Sequence, residues 1–280
     1  MNAAVDPGHP VYNAIPGRYT NRIGGGKFTI DNITYSVPLN DGPNTLHSGP
    51  NNWSFRFWNV VAATKDSIIF SLYDPANSTG MPGSVDATVT YSLEKNRWKI
   101  RMEAVSPEAK TPIMLTQHTY FNLDAFANPN TQTIWNHTLH MPKSKRTLDI
   151  DGNALPTGKI INITKNSVDD FWTAPHQLGF ASGNKEFQNH CGNTCNGYNG
   201  AYLLDEKKDE EVVLSLSSKW NGIKADLRTN QEAIVLYSCY WNDGKTEMKS
   251  TQGVKGGSKF IPKDGCIAIE AQDWVDGINQ

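Results

Sequence analysis

The sequence predicts an all-β protein, an antiparallel sandwich or barrel, and three observations carry that expectation. Short runs rich in Val, Ile, Thr and aromatic residues recur along the whole chain, most of them about four to nine residues long. Turn residues separate the runs, with 27 Asn, 23 Gly and 15 Pro in 280 residues. Hardly any window repeats its apolar residues at helical spacing.

The elements follow in order. KFTIDNITYSV alternates Phe28 and Ile30, then Ile33, Tyr35 and Val37, around Asp31-Asn32, the signature of a hairpin. Strands are expected at 55–63, 67–73, 86–93 and 98–105, with Glu94-Lys95-Asn96 turning between the last two. Later strands are expected at 113–116, 133–141, 211–217, 222–228, 233–240 and 266–271. Gly24-Gly25-Gly26 opens no helix, so it reads as a hairpin turn or bulge rather than a phosphate cradle. Segments 182–200 and 246–259 read as long polar loops, which in a compact β domain are more often functional than structural. Neither a repeat nor a domain boundary shows, so a single domain over residues 1–280 is expected.

Composition narrows the function. Lys+Arg number 26 against 28 Asp+Glu, a net charge of -2, so the basic surplus of a general nucleic-acid binder is missing. Charged residues make up 19% and the mean hydropathy is -0.51, so uncharged side chains supply the polarity. Membrane association is not expected, since no stretch approaches the roughly 18–20 apolar residues a bilayer needs. MNAAVDPGHPVYN has neither the basic start nor the apolar run of a secretory leader. The cysteines are Cys191, Cys195, Cys239 and Cys266. Only Cys191 and Cys195 are close, beside His190, and a small disulfide loop or free thiols is expected there rather than a metal. N-x-S/T sequons occur at Asn32, Asn52, Asn77, Asn136 and Asn162, barely above the number chance gives in so Asn-rich a chain. The compartment reads as extracellular, with cytoplasmic as the alternative.

Common catalytic patterns are absent: no G-x-S-x-G elbow, no phosphate-binding G-x-x-x-x-G-K-[ST] and no H-E-x-x-H. Of the seven histidines (His9, His47, His118, His137, His140, His176 and His190), two sit where strand meets loop. His118 lies in TQHTYFNL, read as the end of an apolar strand, flanked by Tyr120 and Phe121. His47 lies in NTLHSGP. Glu270, in CIAIEAQDW, follows Ile267 and Ile269 on a strand that reads as buried, and burial raises a carboxyl towards the range a general base needs. Solvent exposure on an edge strand is the alternative for Glu270. These residues point to a His/Glu acid–base pair.

At these residues the chain resembles the aldose 1-epimerase (galactose mutarotase) family. PGRYTNRIGGGKFTIDNITYSVPLNDGPNTLHSG is similar to the family's N-terminal block, TQHTYFNL to its central His block, LPTGKI to its Pro-Thr-Gly block and IAIEAQDWVDGIN to its terminal Glu-x-Gln block. The resemblance implies a large antiparallel β-sandwich, the supersandwich, and cofactor-free, metal-free interconversion of the α and β anomers of a free monosaccharide. It implies Glu270 as general base towards the anomeric hydroxyl and His118 as general acid towards the ring oxygen. Arg22 and His47 fall at positions that bind the sugar, with Asn21 supporting Arg22. Two positions depart from the family: Asn199 stands where an acidic residue is usual, and Val235 where a Gln is usual. The first loses charge-assisted strength and the second loses hydrogen bonding altogether. A carbohydrate-binding protein of weakened turnover is therefore the alternative, and a glycoside hydrolase ranks last because only Glu270 has a credible setting. Trp53, Trp58 and Trp241 are indoles that could stack on a sugar, with ordinary packing the expectation for each. Set against the family, the chain also reads as short at both ends.

Overall fold

The computed structural model describes residues 11–208 and 210–280. His9 and the first ten residues of the leader reading lie outside the described residues. The chain forms two compact units, one comprising residues up to His118 with Val275–Gln280, the other Thr119–Trp274.

In the first unit, β1 (Arg22–Ile23) pairs with the later β4 (Thr45–Leu46), and β2 (Lys27–Ile30) forms a hairpin with β3 (Ile33–Ser36). Asp31 and Asn32 both take positive φ, 49° and 64°, as the two central residues of a type I′ turn must, and short polar side chains tolerate that conformation. The glycine run between β1 and β2 is a tight 3-10 turn. β5 (Asn59–Ala63), β6 (Ser67–Asp74), β7 (Val85–Glu94) and β8 (Arg97–Val105) form an antiparallel meander. Leu72, Ala87 and Val89 of this meander bury one face against Ile15 and Trp53. Trp53 is fully buried and packs edge-on against Trp58, so it stacks on no ligand. Gly17 must be glycine here, because a Cβ would lie 2.3 Å from the Trp53 ring.

A buried ion pair ties this unit together. Arg18 and Asp74 are both 0% exposed and 2.8 Å apart. The guanidinium also donates to the carbonyls of Pro82 and Gly83, each at 2.9 Å. Asp74 accepts from Trp53 Nε1 at 3.0 Å, from Arg56 Nη1 at 2.6 Å and from the Ser78 hydroxyl. Burial by itself would raise this carboxyl, but hydrogen bonds from Ser78 and Trp53 and the Arg18 charge outweigh it, and the pKa is lowered.

Among the described residues the second unit holds two sheets. Its strands are β9 (Thr119–Phe121), β10 (Thr138–His140), β11 (Arg146–Ile150), β12 (Pro156–Asn162) and β13 (His176–Gln177), followed by β14 (Asn199–Leu203), β15 (Leu214–Ser217), β16 (Lys224–Leu227), β17 (Ala233–Tyr237) and β18 (Ile267–Gln272). One sheet runs β13-β10-β15-β16 and the other β12-β11-β14-β17-β18-β9. Their shared core includes Leu139, Leu216, Tyr202, Ile234, Leu236, Ile267 and Ile269.

Several expectations need correction. Segment 113–116 makes a single parallel bridge, Met114 to Tyr19, rather than a strand, and Pro112 just before it has no N–H to extend a ladder. Only Thr138–His140 of 133–141 is extended. His118 precedes a strand rather than ending one. Residues 182–200 are not a free loop: Phe187 and Tyr198 enter the core, and Cys191 and Cys195 form a buried disulfide. A second disulfide, Cys239–Cys266, joins the end of β17 to the start of β18. Its 27-residue separation is worth about 3–4 kcal/mol on a chain-entropy estimate.

Candidate active site

The first unit gathers four of the expected residues. β1 carries Arg22 opposite Leu46 of β4, and Asn21 and His47 flank that pair. The chain leaves β4 through His47, Ser48 and Gly49, all at positive φ. Ser48 holds this turn, its hydroxyl accepting from Tyr19 N–H at 2.8 Å and donating to Tyr19 C=O at 2.9 Å. Asn21 braces the histidine twice: its C=O accepts from His47 N–H at 2.9 Å, and its N–H donates to His47 Nδ1 at 3.0 Å. An Nδ1 that accepts places the proton of a neutral ring on Nε2, which becomes the donor towards a ligand. The Asn21 side chain accepts from Arg22 N–H at 2.9 Å, as expected of a support for Arg22. Asp41 takes the Arg22 Nε–H at 2.7 Å, leaving both terminal amino groups for other acceptors. Asp41 escaped the sequence reading because 19 residues separate the partners.

His118 joins this group, its ring centroid 5.3 Å from that of His47. Burial pushes His118 down to about 3, and burial, His118 and Arg22 together push His47 well below its ordinary value. Both rings are therefore neutral near pH 7.

Those shifts have a sign. Below about pH 6.5 the unfolded chain protonates these histidines while the folded chain does not, so stability is full above that pH and falls towards pH 3. His118 costs about 1.4 kcal/mol per pH unit within that window, and His47 adds a loss of the same sign. Denaturant unfolding at pH 7 and pH 5 should show the loss, and His118→Asn should flatten the slope by about 1.4 kcal/mol per pH unit. A slope identical in wild type and variant contradicts the burial account.

The second unit places Glu270. β18 lies between β17 and β9, so it is an interior strand and Glu270, 2% exposed, is not an edge glutamate facing solvent. Directly opposite residues share a face. Ile267, Ile269, Ile234 and Leu236 fill the core, and Glu270 projects from the other face in one row with Val235 and Ala201. The next row on that face holds Asn199, Tyr237, Ala268 and Tyr120. Ala201, Val235 and Ala268 on this face are small and, like Glu270, buried. The face thus carries a buried carboxylate, amides and aromatic edges with few bulky aliphatics, which suits a ligand rich in hydroxyls. Asn199 shares the face but sits one row and two strands away from Glu270. Among the described residues no group of three or more His, Cys, Asp or Glu is placed to hold a metal, and no helix is long and apolar enough to cross a membrane.

Comparison with known proteins identifies the family. The family model described as Aldose 1-epimerase matches residues 3–275. A probable aldose 1-epimerase of Arthroderma benhamiae is 32% identical over 305 residues, covering 97% of this chain and 68% of the relative. The galactose mutarotase of Sus scrofa is 29% identical, covering 97% and 73%. Among solved structures, the GalM/aldose epimerase homologue from C. elegans superposes with a TM-score of 0.84 at 25% identity, covering 99% of this chain and 78% of that one. The galactose 1-epimerase of Lactobacillus acidophilus shares the fold with a TM-score of 0.77 at 23% identity.

Proposed function

This chain belongs to the aldose 1-epimerase family, and from that premise we propose that Glu270 and His118 interconvert the α and β anomers of a free aldose by opening and reclosing the ring. The observation that carries the assignment is the placement of Glu270, buried on the polar, small-residue face of an interior strand. The partnership with His118 rests on the family motif TQHTYFNL that carries it.

The cycle is balanced without an added reactant. Glu270 takes the proton of the anomeric hydroxyl, electrons move to form the C1 carbonyl, and the C1–ring-oxygen bond breaks. His118 gives the ring oxygen its proton. Rotation about C1–C2 presents the other carbonyl face, and the two transfers then run in reverse. A neutral His118 is adequate for this step, because the departing ring oxygen becomes alkoxide-like and can draw a proton from an imidazole N–H, as neutral histidine electrophiles do elsewhere. His47, with its Nε2 proton, and Arg22, steadied by Asp41, donate to the sugar hydroxyls. Val235 offers no amide to the sugar, which alters grip while leaving the proton transfers intact.

A hydrolase would need a second carboxylate flanking the bond, and the sheet face around Glu270 carries none among the described residues. The direct test is polarimetry of freshly dissolved α-D-glucose. The protein should speed the approach to equilibrium in proportion to its concentration. A rate equal to spontaneous mutarotation contradicts the proposal.

A further inference from the structure

We propose that Asp276 is a positioning residue for Arg22: from the C-terminal turn it fixes the glycine turn that ends β1, and with it the place where the guanidinium meets the sugar. This rests on the reading above, in which Arg22 donates to the sugar hydroxyls.

β1 gives Arg22 little support of its own. It is two residues long and pairs with β4 only through Arg22 with Leu46 and Ile23 with Thr45. Gly24-Gly25-Gly26 follows directly, with Gly25 and Gly26 at φ 61° and 60°. Successive glycines have the widest backbone freedom a chain can have, so the position of β1 depends on what holds that turn. Two buried side chains hold it. Asp276 Oδ1 accepts from Gly24 N–H at 3.0 Å, and Asn44 Oδ1 accepts from Gly25 N–H at 3.1 Å. Asn44 immediately precedes β4, so it ties the turn to the strand that β1 already meets. Asp276 ties it to a segment 252 residues away.

Asp276 is itself held in place. Its backbone is left-handed, φ 55°, a conformation that Asp tolerates, and it starts the short turn Gly277–Asn279. Asn279 Nδ2 donates to the same Asp276 oxygen at 2.7 Å and to the C=O of Lys27, the first residue of β2, at 3.0 Å. Ile278 N–H donates to the Tyr19 hydroxyl at 3.1 Å, and the Ile278 side chain packs against the cluster that buries Ile23 and Phe28. The C-terminal turn therefore meets the chain on both sides of the glycines, at Tyr19 before β1 and at Lys27 after it. Gly24 and Asn279 share one carboxyl oxygen as acceptor, so Asp276 acts through the placement of that oxygen, which an amide can also provide.

Glucose mutarotation followed by polarimetry, with kcat and KM separated, tests the assignment. Asp276→Gly deletes the acceptor without straining the left-handed backbone. Gly24→Pro deletes the donor of the same bond at a first helical position, where proline fits. Each should raise KM about tenfold and change kcat less than about twofold, because Glu270 and His118 are untouched. Asp276→Asn should restore most of the wild-type KM. In an Arg22→Ala background, Asp276→Gly should add less than about twofold to KM, since no guanidinium is left to misplace. A rise of the same size without Arg22, a rise that Asp276→Asn does not prevent, or an unchanged KM in both Asp276→Gly and Gly24→Pro overturns the assignment. No acceleration of glucose mutarotation by wild type overturns the acid–base reading and this assignment with it, whereas an active wild type without the coupling overturns the assignment alone.

Discussion

Glu270→Gln should lower kcat for glucose mutarotation by about 10³-fold, or ~4 kcal/mol, with little change in KM. The amide keeps the size of the carboxyl and one acceptor oxygen, but loses the charge and the capacity to take a proton. Its neighbours Val235 and Ala268 are uncharged, so no compensating base lies beside it in the sheet. The variant should fold normally, because the packing of Ile267 and Ile269 on the opposite face is untouched. Polarimetry gives the rate and near-ultraviolet circular dichroism checks the fold. Wild-type kcat in a folded Glu270→Gln protein would remove Glu270 from the mechanism.

Asp74→Ala should destabilise the protein by about 3–5 kcal/mol, because it strands a buried guanidinium. Arg18 is 0% exposed and keeps only neutral acceptors, among them Pro82 and Gly83 carbonyls, once the carboxylate is gone. Trp53 Nε1 and Arg56 lose a partner in the same stroke. The double variant Arg18→Met/Asp74→Leu should be markedly more stable than Asp74→Ala alone, since it leaves no fully buried charge unpaired, Arg56 being partly exposed. Urea unfolding measures both. A loss below about 1 kcal/mol for Asp74→Ala would mean that water reaches Arg18.

What the sequence revealed followed the range of the interaction. The β2–β3 hairpin was legible because alternation and the Asp31-Asn32 turn lie within eleven residues. The β6–β8 meander was legible for the same reason. By contrast β11, β12 and β14, whose segments read RTLDI, PTGKIIN and NGAYL, carry charge, Pro, Gly or Asn and show no local strand signal. They are strands because β14 finds β17 and β11 finds β14, pairings that span many residues. The candidate site shows the same division. Residue type and motif context singled out His118, His47 and Glu270. Nothing local could show that Asp41 steadies Arg22, that Val235 lies beside Glu270, or that Cys239 would pair with Cys266.

The alternation along β17 and β18 has a consequence for how such a protein can change. Residues that hold the scaffold and residues that meet the ligand take turns along the same strands, Ile234 and Leu236 against Val235, Ile269 against Glu270 and Ala268. Preference for one sugar over another can therefore drift by single substitutions at Ala201, Val235 or Ala268 while the apolar positions between them stay fixed. A combinatorial library restricted to those three sites would explore new substrates in a scaffold whose melting temperature is set by the residues on either side.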